Sequence, residues 1–143
     1  MADWATSGRH AMRPALTRLE RAEDVRAELL VWARTLLAGA LSPTVVEMRR
    51  LVTAEAGRRP EVGATYLHQS WIRNIGDLAT TLQTLDARGL LCVPDPATAA
   101  QQLTWLVVGA PLNARMLDAT APFPDTVDAA IVVFLAAYRP HPS

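Results

Sequence analysis

The sequence predicts an all-α protein, built as an antiparallel bundle of about five to six helices. Apolar side chains recur every three or four positions along most of the chain, which is the spacing of one helix face. Capping residues followed by proline, as in Ser42-Pro43 and Asp95-Pro96, mark places where helices begin. No segment of useful length alternates between apolar and polar residues, so nothing in the sequence predicts a strand.

The first part of the chain is predicted to be only loosely structured. Residues 1–12 carry scattered polar groups and are interpreted as a loose tail. Pro14 is expected to open a short helix through Glu20, because proline is tolerated in a first helical turn. The chain therefore divides into an N-terminal tail with a short helix at 1–23, a helical domain at 24–139 and a C-terminal tail at 140–143.

Three helices are predicted in the middle of the chain. Asp24 is placed to cap the first, and Ser42 caps the second, which ends at Gly57. The third begins at Pro60 and ends at Gly89, where a left-handed glycine cap is expected. Its apolar seam is the longest in the sequence and contains Leu67, Trp71, Ile75, Leu78, Leu82 and Leu85. Gly76 interrupts this helix at a propensity cost of about 1 kcal/mol, which suggests that another backbone approaches closely there.

Two further helices are predicted towards the C-terminus. Asp95 caps the first, and Pro111 is expected to kink it, because proline lacks an N–H and crowds the carbonyl four residues earlier. After a proline-containing loop, Asp125 or Thr126 is expected to cap a last helix that ends at Tyr138.

The last helix is apolar on nearly all sides, and residues 103–112 of the helix before it share this character. A helix that is apolar all round must be buried all round, and a domain of about 140 residues offers few enclosed positions. Two such helices per chain predict a two-fold dimer with a four-helix interface. The alternative is a monomer in which both helices are central. The residues expected at the dimer interface are Leu106, Val107, Ala110, Val127, Ala130, Ile131, Phe134, Leu135 and Tyr138.

Composition limits the partners and the location that we expect. The 14 basic and 14 acidic side chains give a formal net charge of zero, which argues against nucleic acid or an anionic membrane as a partner. Cys92 is the only cysteine, so an internal disulfide is impossible, as suits a reducing cytoplasm. No secretory signal is recognisable, and the most apolar run is about half the length of a membrane helix. We therefore expect a cytoplasmic protein.

No enzyme chemistry is predicted. The histidines His10, His68 and His141 lack partners at metal-ligand spacing. The sequence contains no nucleophile elbow and no glycine-rich phosphate loop. Cys92 is more typical of a small packed side chain than of a thiol sensor. We therefore expect no catalysis, no cofactor and no metal.

Three ordered runs of residues resemble a known family. They are Arg50-Leu51-Val52-Thr53-Ala54-Glu55-Ala56 with Arg59-Pro60-Glu61 and Tyr66; Ala87-Arg88-Gly89-Leu90-Leu91 with Asp95-Pro96; and Trp105-Leu106-Val107 with Pro111-Leu112-Asn113 and Met116. Together they resemble the C-terminal effector domain of TetR-type transcriptional repressors, in particular the AefR-like branch, over about residues 24–138.

The resemblance implies that the last two helices form a dimer interface and that the helices before them enclose a small-molecule pocket. Pockets of this kind combine apolar walls with a few polar groups. Plain core packing is the alternative interpretation of each residue. The residues expected to line the pocket are Trp32, Met48, Val52, Tyr66, Trp71, Ile75, Leu78, Trp105, Asn113 and Met116.

The expected function is therefore that of a ligand-sensing and dimerisation domain of a TetR-family regulator. The family places a helix-turn-helix before this domain, but only 23 residues precede Asp24 here, so the chain is not expected to bind DNA directly. Its expected partners are a small apolar or aromatic ligand and either a second copy or a related full-length regulator. A pure dimerisation module without a ligand is the alternative function, and an unrecognised enzyme is the third hypothesis.

Overall fold

The structure, a computed structural model, describes residues 3–140, and all the regular structure in that part is helical. The all-α prediction is confirmed. The helices are α1 Asp3–Glu20, α2 Val25–Ala40, α3 Pro43–Ala56, α4 Pro60–Tyr66, a π-helical segment Leu67–Ile72, α5 Arg73–Ala87, α6 Pro96–Leu117 and α7 Val127–Tyr138. Because α4, the π-helical segment and α5 run on without a break, residues 3–140 form six helical rods, in agreement with the five to six expected. His141 lies outside the described residues.

The N-terminal part differs from the sequence-based expectation. Where a loose tail and a short helix opening at Pro14 were predicted, α1 is a single helix of 18 residues with Pro14 inside it. Its buried side chains are Met12, Ala15, Leu16 and Leu19, which share one helix face and belong to the main core. This face packs against α2 and α5. Burial of that stripe outweighs the helix hydrogen bond that Pro14 cannot make.

The predicted helix starts are confirmed by hydrogen bonds. Asp24 accepts from the backbone N–H of Ala27 at 3.0 Å, and Ser42 accepts from that of Val45 at 3.4 Å. Asp95 accepts from the N–H of Thr98 at 3.2 Å. These side chains supply acceptors for N–H groups that the helix itself leaves without a partner.

Helix α4, the π-helical segment and α5 form one long rod, and two glycines, one inside it and one just after it, have different roles. Gly89 has a φ of 76°, so the predicted left-handed cap is confirmed. The N–H of Leu90 closes this cap by donating to the carbonyl of Leu85 at 3.0 Å. Gly76 is exposed, and a Cβ added there would meet no atom within 4 Å. The close approach expected at Gly76 is therefore wrong.

The last two helices complete the bundle. Helix α6 continues past Pro111 to Leu117, so this proline does not end the helix. At the start of α7 it is Asp125 that caps, because its carboxylate accepts from the N–H of Val127 at 3.1 Å, whereas Thr126 makes no side-chain cap. Helix α7 packs on α2 and α6, and α6 packs most extensively on α5.

The main core lies where α1, α2, α5, α6 and α7 meet. Among the largest fully buried side chains are Leu29, Leu82, Leu103, Ile131 and Phe134, which come from four of these helices. Within residues 3–140, no helix taken singly has the length and apolar character that crossing a membrane requires, although α2 and α3, bent by 60°, reach those limits as a pair.

Candidate functional site

A cavity of about 220 Å³ lies beside the main core, between the middle of α1, the α2–α3 corner and the π-helical segment. Its walls are mostly apolar. Helix α1 contributes Gly8, Ala11, Met12 and Leu16. The α2–α3 corner contributes Trp32, Thr35, Leu36, Gly39, Ala40, Ser42 and Val45. The long rod contributes Tyr66, Ser70, Trp71, Asn74 and Ile75, and α6 contributes Thr104.

Four of the ten residues expected to line a pocket are found in these walls: Trp32, Tyr66, Trp71 and Ile75. The other six lie elsewhere. Leu78 is part of the main core, and Asn113 is exposed on α6. Trp105 is 41% exposed on α6 and lies outside the cavity wall, where it is stacked on Trp71. Met48, Val52 and Met116 are half-buried outside the cavity. Helical spacing identifies an inward face, but it does not distinguish a cavity wall from filled core.

Sequence analysis missed the cavity wall formed by α1. Residues 1–12 were interpreted as a tail, so Gly8, Ala11 and Met12 were not considered. The spacing of Met12, Ala15, Leu16 and Leu19 was the signal that could have found this wall, because it is the stripe of an amphipathic helix. The α2–α3 corner carried no such signal, since glycine, alanine and serine line a cavity only when the backbone turns beside it.

Trp71 has the most distinctive environment in the wall. It lies in the π-helical segment, a distortion that is frequent at functional sites. Its indole ring is stacked on that of Trp105, with ring centroids 5.0 Å apart and planes at 17°. The Arg49 guanidinium carbon lies 5.2 Å from the Trp71 ring centroid, within the range of a cation–π contact. These contacts hold the ring in place from α3 and α6.

The indole nitrogen of Trp71 is buried, and it makes no hydrogen bond with the described residues. The indole of Trp105, by contrast, donates to the side chain of Gln101 at 3.2 Å. Two other polar side chains in the wall already make hydrogen bonds. The hydroxyl of Thr35 donates to the carbonyl of Val31 at 2.8 Å, and the amide of Asn74 donates to the carbonyl of Ser70. Trp71, whose side chain lines the cavity, thus carries a buried N–H donor that has no hydrogen-bond partner among the described residues.

The electrostatics of the wall are simple. Of the described residues that line the cavity, none is an aspartate, glutamate, arginine or histidine. An ion pair nearby holds the α1 wall in position: the Arg9 guanidinium donates to both carboxylate oxygens of Asp77 on α5, at 2.7 and 2.9 Å. The hydrogen bonds from Arg9 hold the pKa of the Asp77 carboxyl below its ordinary value of 3.8.

The nine residues expected at a dimer interface divide into three groups by their burial. Val107, Val127, Ala130, Ile131 and Phe134 are buried inside the protomer, so their apolar surface is already covered. Leu135 and Tyr138 are half-buried, and only Leu106 and Ala110 are exposed. The faces of α6 and α7 that remain open are therefore largely different from those expected.

The neighbouring helices α6 and α7 together expose an apolar area. We call it the α6–α7 surface, and its members are Leu106, Ala110, Ala129, Val132, Val133, Ala136 and Ala137. Leu106, Val132 and Val133 are 40%, 49% and 55% exposed, although each is a large apolar side chain. Large apolar side chains that stay exposed on neighbouring helices are typical of interaction sites where they form one patch.

The described residues contain no group of three His, Cys, Asp or Glu side chains that could hold a metal ion. His68 is exposed on the π-helical segment, away from the cavity walls. Cys92 is half-buried after the glycine cap, and its N–H donates to the carbonyl of Tyr138 at 2.9 Å. Neither side chain forms part of a candidate catalytic arrangement with the cavity.

Comparison with known families assigns the chain to a class. The family model of the AefR-like transcriptional repressor C-terminal domain matches residues 27–140. The chain therefore belongs to this family of TetR-type repressor C-terminal domains, and the resemblance noted in the sequence is confirmed.

A solved structure agrees with this assignment. A protein from Mesorhizobium loti MAFF303099, described as a TetR-family transcriptional regulator, is similar to this chain with a TM-score of 0.91 and 26% sequence identity, over 96% of this chain and 71% of that one. No curated protein sequence matches this chain.

Proposed function

We propose that the chain is the ligand-sensing and dimerisation domain of a TetR-family transcriptional regulator. The observation that carries this proposal is the cavity of about 220 Å³ with apolar and aromatic walls. An engineered cavity of about 150 Å³ in another protein binds benzene. A space about half as large again suits one aromatic ring with a small substituent.

The composition of the walls supports a sensing role for α1. Helix α1 contributes Gly8, Ala11, Met12 and Leu16 to the cavity, so a bound molecule contacts α1 and the α2–α3 corner at once. A ligand shifts a conformational equilibrium only through different affinities for the two states. We propose that the two states differ in the position of α1 against this corner.

Dimerisation is the second part of the proposal. We propose that a second copy covers the α6–α7 surface, since a two-fold axis would bring the same apolar area of each protomer together. The exposed fractions of Val132 and Val133 support this, because such side chains gain from leaving water. A related full-length regulator could occupy the same surface. A transcription regulator works in the compartment that holds the DNA, so we propose a cytoplasmic location.

The ligand-sensing role is tested by thermal unfolding with a library of small neutral aromatic compounds. A compound that binds only the native state raises the melting temperature with its concentration. Ala40→Leu adds volume inside the cavity and is expected to abolish this response, while Ala64→Leu makes the same change at an exposed position outside it. A response that survives in Ala40→Leu would place the binding elsewhere.

A pure dimerisation module is the second candidate, favoured by the α6–α7 surface alone. The same experiment separates the two functions when it is combined with sedimentation at low micromolar concentration. A dimer whose melting temperature responds to no compound in the library would support this candidate and contradict ligand sensing.

A further inference from the structure

The cavity wall contains one side chain, Trp71, whose hydrogen-bond donor has no acceptor among the described residues. The Trp71 indole N–H is buried, and the described part of the chain offers it no acceptor. A buried donor without a partner destabilises a protein, so such groups are rare, and each one needs an acceptor such as water or a bound molecule. Trp105 differs in this respect, because its indole N–H donates a hydrogen bond to the side chain of Gln101.

The orientation of Trp71 is fixed by its neighbours. Trp105 is stacked on its ring, and Arg49 lies over the ring as well. The indole cannot turn to seek an acceptor elsewhere without losing these contacts. Because the donor is held in one position, it distinguishes between ligands: only a ligand with an acceptor at the matching position can form the hydrogen bond.

The other wall residues define the charge of the molecule that fits. Among the described residues in the wall there is no basic side chain to pair with a carboxylate and no acidic one to pair with an amine. Burial of an unpaired charge is far more costly than burial of a neutral polar group that finds one hydrogen bond. The wall therefore favours a neutral molecule with an acceptor.

We infer that the ligand of this cavity is a small uncharged aromatic molecule with a carbonyl or ether oxygen, and that this oxygen accepts a hydrogen bond from the Trp71 indole N–H. This inference rests on the proposed function and goes further by naming the class of ligand and the group that selects it. Trp71 is the specificity-determining residue of the site.

The test compares three molecules of nearly the same shape: acetophenone, which is neutral with an acceptor; α-methylstyrene, which is neutral without one; and benzoate, which is charged. Binding is followed by two-dimensional NMR of the ¹⁵N-labelled protein, in which each tryptophan indole N–H gives its own signal. The signal that Trp71→Phe removes is that of Trp71. Acetophenone is expected to shift this signal and to bind about ten-fold more tightly than α-methylstyrene, the value of roughly one hydrogen bond. Benzoate is expected to bind most weakly.

Two variants complete the design. Trp71→Phe keeps an aromatic ring against Trp105 but has no N–H, so the preference for acetophenone over α-methylstyrene is expected to disappear. Trp105→Phe makes the same change at a residue that donates outside the cavity, and the preference is expected to remain. A preference that Trp71→Phe retains would overturn the inference.

The outcomes separate this inference from the proposed function. Equal binding of acetophenone and α-methylstyrene, with no movement of the Trp71 signal, overturns the role of Trp71 and leaves ligand sensing intact. Tighter binding of benzoate overturns the requirement for a neutral ligand. If none of the three binds saturably at millimolar concentration, the proposed ligand site and this inference fall together.

Discussion

At the scale of single residues, identical side-chain types serve opposite purposes in this fold. Trp71 and Trp105 are stacked on each other, yet only the indole N–H of Trp105 has a protein acceptor. Gly76 and Gly89 lie in the same long rod and its cap, yet only Gly89 has a positive φ. The amino-acid type sets what a residue can do, and its neighbours decide which ability is used.

The two glycines give a matched pair of predictions. Gly76→Ala is expected to raise the free energy of unfolding by about 0.5–1 kcal/mol, because alanine restricts the unfolded chain and the position is exposed with open space around it. Gly89→Ala is expected to lower the free energy of unfolding by about 1–2 kcal/mol, because a Cβ is unfavourable at a φ of 76°. Urea unfolding of the two variants measures both changes. Effects of the same sign would contradict the structure at one of these positions.

At the scale of elements, packing overrides local signals in α1. A proline inside a helix costs about 3 kcal/mol, yet burial of Met12, Leu16 and Leu19 contributes about 1.5–3 kcal/mol for each of these side chains. The balance favours one continuous helix. The π-helical segment is a second element that the sequence did not predict. It places Ser70 and Trp71 in the cavity wall.

The ion pair between α1 and α5 makes stability depend on pH. Because Arg9 holds the pKa of Asp77 below 3.8 in the folded protein, the unfolded chain binds more protons than the folded one as the pH falls through that range. The pair therefore stabilises the fold above about pH 4, and its contribution is lost below that. Asp77→Asn is expected to lose less stability than the parent protein between about pH 6 and pH 3, as measured by urea unfolding.

Arg9→Gln removes the same pair from the other side, and it is expected to reduce the acid sensitivity less than Asp77→Asn, because Arg13 still lies 3.8 Å from the Asp77 carboxylate. The carboxyls of Asp95, Asp118 and Asp125 also have lowered pKa values, through hydrogen bonds from Thr98, Thr120 and Val127, and these remain in both variants. An acid sensitivity unchanged in both variants would show that the pair does not contribute.

At the scale of the whole molecule, the orientation of α7 determines which apolar face stays open. Arg34 on α2 pairs with Asp125 at 3.1 Å and with Asp128 at 3.0 Å, which ties the start of α7 to α2. Val127, Ala130, Ile131 and Phe134, at helical spacing, then point into the core. The opposite face, with Val132 and Val133, stays exposed.

Substitutions on that open face test the proposed dimer. Leu106→Glu and Val133→Glu each place a negative charge in the α6–α7 surface. In a two-fold dimer the same charge of the second copy would lie nearby, so the affinity of dimerisation is expected to fall by about 100-fold or more. Leu51→Glu is the matched control, since Leu51 is 64% exposed on α3, away from this surface. Analytical ultracentrifugation at low micromolar concentration measures the result. A parent protein that sediments as a single chain, or variants that pair as tightly as Leu51→Glu, would contradict the proposal.

Much of the architecture was predictable because its signals are local. Caps at Asp24, Ser42 and Asp95 depend on hydrogen bonds over three residues, and the glycine cap at Gly89 depends on one backbone conformation. Less of the cavity was predictable. Trp32, Tyr66, Trp71 and Ile75 were among the residues expected to line a pocket, while the wall residues on α1 and most of those at the α2–α3 corner were missed.

The sequence by itself determined that the chain is helical, where most of its helices begin and end, and to which family it belongs. Periodicity, capping and motifs depend on residues that are close together in the chain, so they can be recognised without the tertiary structure. Only the tertiary structure decided that α1 is part of the core, that Trp71 rather than Trp105 borders the cavity, and that α7 hides Phe134 and exposes Val133. These outcomes depend on competition between surfaces from distant parts of the chain. When a helix is apolar on every side, its own sequence does not indicate which side the neighbouring helices will cover.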